Sequence, residues 1–131
     1  MKKYFLGLMG LVVLLGLATS LQAQRQRWAF LGEAHVDGRM DHDSIRVGLA
    51  DGKFRAIQFR VNGGEVEFDR VVVHFGNGQQ ERLDIRQRIP SGGRTQAIDL
   101  PGDRRVIESV ELWYSKANWH RRPRVGLYGL R

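Results

Sequence analysis

From Asp37 to Asp43 the chain reads Asp-Gly-Arg-Met-Asp-His-Asp, its densest run of side chains able to hold a metal. A hard cation such as calcium takes about six to eight oxygens. Three carboxylates in this run fall short of that, and the glycine and glutamate spacing of an EF-hand loop is missing. Aspartates also bond their own backbone in turns, so the segment is expected to cap a loop. Asp37, Asp41, His42 and Asp43 are the ligands a metal there would use. The four histidines, His35, His42, His74 and His120, are scattered, with no His-x-His or His-x-x-x-His pair. His35 and His42 could meet across the loop beside Asp41 or Asp43 as a two-histidine, one-carboxylate set. His74 lies inside an apolar run and reads as a packed, hydrogen-bonded residue.

Catalytic patterns are missing. Outside the N-terminal segment, Ser44, Ser91, Ser109 and Ser115 are the serines, and none occupies a Gly-x-Ser-x-Gly elbow. A carboxylate pair for glycoside hydrolysis is defined by separation in space, on which sequence is silent. Glu65, Glu67 and Asp69 alternate as a solvated strand face would. Ser91-Gly92-Gly93-Arg94-Thr95 could offer N–H groups to an anion, but it lacks the lysine and following helix of a phosphate loop, so it reads as a connection between strands. The expectation is a non-enzyme without a cofactor.

Aromatic and basic residues together make the more suggestive surface. In Val110-Glu111-Leu112-Trp113-Tyr114, Leu112 is in phase with Val110 and Tyr114, which sends Trp113 to the opposite face with Glu111. Trp119-His120-Arg121-Arg122 follows in a polar loop, and Arg86 and Arg88 lie on an alternating run. Stacking on indole combined with the bidentate charge of arginine suits sugar rings and anionic polymers. Trp113, Trp119, Arg121, Arg122, Arg86 and Arg88 are therefore the candidate ligand-binding residues. The competing expectation is that Trp113 fills a second layer of the fold and Trp119 staples the loop to it.

These side chains must be positioned by whatever follows the N-terminal segment. Met1-Lys2-Lys3, the apolar run Tyr4–Ala18 and the tail Thr19–Ala23 have the three-part layout of a secretory signal peptide. The run is shorter than the ~20 residues that span a bilayer, and no second apolar segment follows. Cleavage is expected after Ala23, or alternatively after Ser20, leaving a single domain over residues 24–131 in the periplasm or outside the cell. Of 21 basic residues, 19 remain in that domain against 14 acidic ones, a net of +5, and only Lys53 and Lys116 are lysines. The charge would fit a nucleic acid, but export argues for an anionic envelope polymer instead. The chain contains no cysteine, so disulfides, thiolate metal sites and cysteine nucleophiles are excluded.

The domain reads as strands throughout. Trp28–Leu31, Ala34–Val36, Ser44–Gly48, Lys53–Val61, Val66–Phe75, Arg82–Ile89, Thr95–Leu100, Arg105–Tyr114 and Arg124–Leu130 are short alternating or apolar runs cut by Gly, Pro, Asn and Asp. Val66–Phe75 is the most apolar and is expected at the centre, buried on both faces. Asn62-Gly63-Gly64 and Asn77-Gly78 are hairpin signals. No stretch keeps a 3.6-residue apolar period. The expected fold is all-β, an antiparallel β-sandwich or jelly roll of about eight strands, with a small β-barrel as the alternative.

The ordered segments Leu31-Gly32, Asp41–Gly48, Gly52–Ile57, Phe75–Gly78, Ile98–Gly102 and Arg105–Ile107 resemble the YaaI-like family of small secreted bacterial proteins, a domain of unknown function. The likeness covers about residues 28–130. It implies a periplasmic single-domain β protein and carries no catalytic residues with it. Arg122–Gly129 is also similar to the last strand of discoidin-type β-sandwiches.

Two functions are expected of such a chain. One is a non-catalytic binding module of the cell envelope, taking an anionic glycan, a lipid head group or an exported protein. The other is an assembly factor that pairs with an exported protein through a sheet edge, at Ile98 or Val125. A metal-dependent enzyme built on the Asp41-His42-Asp43 loop is a distant third.

Overall fold

A computed structural model describes residues 27–36, 42–117 and 121–131. Asp37, Asp41, Trp119, His120 and the whole expected leader lie outside the described residues. Among those described, no helix is long and apolar enough to cross a membrane.

Among the described residues, ten strands form two antiparallel sheets that pack face to face as a β-sandwich. They are β1 (Trp28–His35), β2 (His42–Arg46), β3 (Lys53–Phe54), β4 (Ala56–Asn62), β5 (Val66–Phe75), β6 (Gln80–Asp84), β7 (Arg88–Ile89), β8 (Ile98–Asp99), β9 (Arg105–Ala117) and β10 (Arg124–Leu130). The first sheet has the order β1-β10-β4-β8. The second has the order β2-β9-β5-β6, with β3 added on β9 and β7 on β5. The inner faces supply one core, in which Phe54, Ile57, Phe59, Val61, Phe68, Val71, Val110, Leu112, Val125 and Leu127 are buried. Alternation sorts the other residues outward, because successive strand side chains point to opposite faces.

Several expected elements take a different form. Trp28–Leu31 and Ala34–Val36 are one strand interrupted by a bulge between Phe30 and Gly32. Lys53–Val61 breaks at Arg55, where the chain leaves β9 of the second sheet and joins β10 of the first. Arg82–Ile89 likewise splits into β6 and β7. There Arg86 takes a positive φ of 46° while Ile85 N and Arg86 N both donate to Asp69 O at 3.2 Å. Thr95–Leu100 keeps only β8 as strand.

Asn77-Gly78 does close a hairpin between β5 and β6, with Gly78 at φ 90° and its N–H donating to Phe75 O at 3.0 Å. Asn62-Gly63-Gly64 does not, because β4 and β5 belong to different sheets. A glycine at positive φ turns the chain in either case, and only the packing of the next strand decides what it then meets. β5 is an inner strand as expected, yet it alternates between buried and half-exposed residues, so one of its faces meets solvent. Val125 is not an edge position, since β10 lies between β1 and β4. Ile98, on β8, does lie at an edge.

Candidate functional site

Trp113 projects from the outer face of the second sheet, beside Glu111, as its phase requires. Its neighbours across the ladder are His42 on β2 and Arg70 on β5. The His42 ring stacks on the indole at 4.3 Å between centroids and 21° between planes. The guanidinium carbon of Arg70 stands 4.2 Å from the same ring centre. Flanked from both neighbouring strands, the indole has little face left for a ligand to stack on.

Glu111 occupies the middle of this surface. His74 Nε2 donates to its Oε2 at 2.7 Å, and His42 Nε2 lies 3.3 Å from its Oε1 without the direction of a hydrogen bond. The bond from His74, and secondarily the proximity of His42, hold the Glu111 carboxyl below its ordinary value, against the opposing effect of burial. The carboxylate sits between the two rings, and among the described residues no group of His, Asp and Glu is arranged to hold a metal ion. On the inward side of the same strands, Asp43 accepts a hydrogen bond from Tyr114 Oη at 3.0 Å. On the outer face, His42 Nε2 and Arg70 Nε are buried without a hydrogen-bond partner.

The remaining sequence candidates gather elsewhere. Arg88 pairs with Glu65 at 3.0 Å and Glu67 at 3.4 Å. Arg86, Arg121 and Arg122 are exposed. Gly63 N donates to Ser91 Oγ at 3.0 Å, and a Cβ on Gly63 would stand 3.5 Å from Pro123 Cα. The connection that follows β7 and the Arg121-Arg122 loop therefore adjoin beside Gly63, while Trp113 belongs to a sheet face. Within the Ser91–Thr95 connection, Gly92 N–H donates to Val61 O, Gly93 N–H to Pro90 O and Thr95 N–H to Phe59 O.

The outer face of the first sheet has a different character. Phe30, Tyr128 and Gln58 stand opposite one another across β1, β10 and β4. Phe30 is 57% exposed, and its ring meets Tyr128 edge to face at 5.4 Å. Arg60 lies over the Tyr128 ring with its guanidinium carbon 3.8 Å from the centre. A chain of hydrogen bonds fixes that arginine: Arg60 Nε donates to Gln58 Oε1 at 3.1 Å, and Gln58 Nε2 donates to Thr95 O at 2.9 Å. Thr95 is anchored in turn, since its Oγ1 accepts from Phe59 N at 3.0 Å. Gly126 makes room for the rings, because a Cβ there would come within 3.1 Å of Tyr128 Cε2.

Beside these residues lies a hollow of about 250 Å³, lined by Arg60, Val61, Asn62, Gly92, Gly93 and Arg94. An exposed ring, a backed ring and two arginines at a hollow form a surface suited to an extended ligand. Alternation along β4 sends Arg60 outward, but the sequence has no means of placing Phe30, Tyr128 and Arg94 next to it. The signal was the alternation of β1 and β10; the missing datum was that the first and last strands pair.

Residues 8–129 match the family model DUF2541, a domain of unknown function. No curated protein matches the sequence. Among solved structures, the Pseudomonas aeruginosa protein AlgX superposes with a TM-score of 0.54 at 16% identity, over 76% of this chain and 26% of that one. A Bacteroides thetaiotaomicron protein described as a candidate alpha-L-fucosidase gives 0.50 at 9% identity, over 79% and 23%. A family 29 carbohydrate-binding module aligns more loosely, with a TM-score of 0.34 at 15% identity over 79% and 76%. At these identities the likeness is one of fold. The chain spans about a quarter of the length of each of the first two.

Proposed function

The chain belongs to the DUF2541 family of domains of unknown function, and we propose that it is a non-catalytic binding module for a cell-envelope polysaccharide. The ligand lies across the outer face of the first sheet, with the exposed Phe30 ring as the contact for a sugar ring and Tyr128, covered by Arg60, as its support. The observation that carries this reading is Phe30, a large aromatic left 57% exposed on a sheet face and held against a second ring. Sugars present an apolar C–H face to such rings, and since fully burying a phenylalanine contributes about 1.5–3 kcal/mol, covering the exposed part of Phe30 contributes about 1 kcal/mol or more. Binding by several such contacts suits a polymer better than a small molecule.

Export follows from the leader layout of residues 1–23 and supplies the compartment in which envelope polymers occur. The YaaI-like resemblance is compatible with this picture. The test uses protein expressed with its own N-terminal segment in place. Its mature N-terminus should be Gln24, and it should be retained on at least one immobilised envelope polysaccharide. Phe30→Ala should lower that retention by about tenfold, as the loss of one buried aromatic contact predicts. Equal retention of the variant, or no retention of the wild type on any envelope fraction, would remove the reading.

A further inference from the structure

Arg60 and Arg94 are directly opposite one another in an antiparallel bridge between β4 and the connection that follows β7. Residues so placed share a face with Cβ atoms about 4.5–5.5 Å apart, and like charges in that position are destabilising. Among the described residues no carboxylate pairs with either arginine. Both line the same hollow.

Arg60 is tied by its Nε to Gln58 and by its guanidinium to the Tyr128 ring. The Arg94 backbone is held through Thr95, whose N–H donates to Phe59 O at 2.9 Å, while its side chain is exposed. Two like charges facing one hollow with no carboxylate to pair them are locally unfavourable, and such contradictions concentrate where a protein binds something.

We propose that Arg60 and Arg94 form a clasp for an oxyanion carried on the polysaccharide, so that the ligand is an anionic glycan bearing carboxylate or phosphate groups. This deepens the binding-module reading and rests on it. The arginine fork accepts two oxygens of a planar or tetrahedral oxyanion at once, which a lysine ammonium does not. An anion between the two guanidinium groups turns their repulsion into two attractions. The clasp adjoins Phe30 through Tyr128, which Arg60 covers and Phe30 meets edge to face. A sugar ring on Phe30 thus carries its acidic substituent, or that of the next residue, toward the hollow.

The experiment compares neutral dextran, carboxymethyl-dextran and dextran phosphate, three polymers with one backbone, at constant low ionic strength. Wild type should prefer at least one anionic form over dextran by about tenfold or more, the worth of one charge-assisted bidentate contact. Which form is preferred identifies the carboxylate or the phosphate as the natural substituent. Arg94→Gln and Arg60→Gln should each abolish the preference. Arg104→Gln, which removes the same charge from an exposed turn, should leave it intact.

Stability gives an independent readout. Arg94→Gln should be at least as stable as wild type in low salt, and inorganic phosphate should raise the Tm of wild type more than that of the variant. The clasp is overturned if no anionic preference exists, if Arg104→Gln lowers it as much as Arg94→Gln does, or if Arg94→Gln leaves it unchanged. The two readings separate cleanly. Loss of binding to all three polymers in Phe30→Ala with no effect of Arg94→Gln sinks the clasp alone. Loss of anionic preference in Arg94→Gln with no effect of Phe30→Ala sinks the platform alone.

Discussion

Glu111 accepts from His74 and stands beside His42, an arrangement that favours its charged form over its protonated form. Its carboxyl is held lower in the folded chain than in the unfolded one. The linked stabilisation is therefore present above the ordinary glutamate value of 4.5 and is lost as pH falls through the lower folded value. Urea midpoints measured from neutral pH to about pH 3 should show wild type losing more stability on the acid side than Glu111→Gln; parallel profiles would refute the linkage. Arg60 and Arg94 show the opposite arrangement, two charges of one sign facing each other with no carboxylate paired to either among the described residues. Sequence placed Trp113 and Glu111 on one face through simple alternation, and that placement holds. That His42 and Arg70 flank the indole was not legible, because both come from strands distant in the chain. A tryptophan beside arginine suits either an open platform or a packed ring, and in the fold His42 and Arg70 lie against the indole.

At the scale of elements, β10 is the strand on which the first sheet depends. It pairs with β1 on one side and β4 on the other, and its inward residues Val125, Leu127 and Gly129 are buried. Gly129 is required by packing, since a Cβ there would stand 2.6 Å from Phe54 Cδ1 and 2.9 Å from Leu31 Cδ1. A proline in an interior strand removes a ladder hydrogen bond, whereas an edge strand can present that position to solvent. Val125→Pro should destabilise the fold by at least about 3 kcal/mol, from an unpaired buried carbonyl together with a lost core valine. Ile98→Pro on the two-residue edge strand β8 should cost much less. Comparable urea midpoints for the two variants would contradict the strand order. Nothing in the composition of these runs distinguishes interior from edge. Both alternate and both end in turn residues.

Taken whole, the molecule is joined by its ends: β1, the first described strand, pairs along its length with β10, the last. Such a fold is built on contacts distant in sequence, which must pay loop-closure entropy before they stabilise anything. Removing residues 124–131 should therefore abolish cooperative unfolding rather than shorten the sandwich, and calorimetry of the truncated chain would show it. A retained sharp transition would mean that the second sheet folds by itself.

The sequence by itself determined the all-β class, the period of each strand, the hairpin at Asn77-Gly78 and the inward or outward sense of most side chains. Those properties depend on residues within a few positions of one another, where side-chain alternation and glycine conformation act directly. Only the tertiary structure decided that Lys53–Val61 changes sheets at Arg55, that Asn62–Gly64 joins sheets instead of closing a hairpin, and that Phe30, Tyr128, Arg60 and Arg94 share one surface. Those outcomes are set by which strands lie side by side. Strand order is a choice among pairings nearly equal in local energy, and it is made by the packing of the whole core.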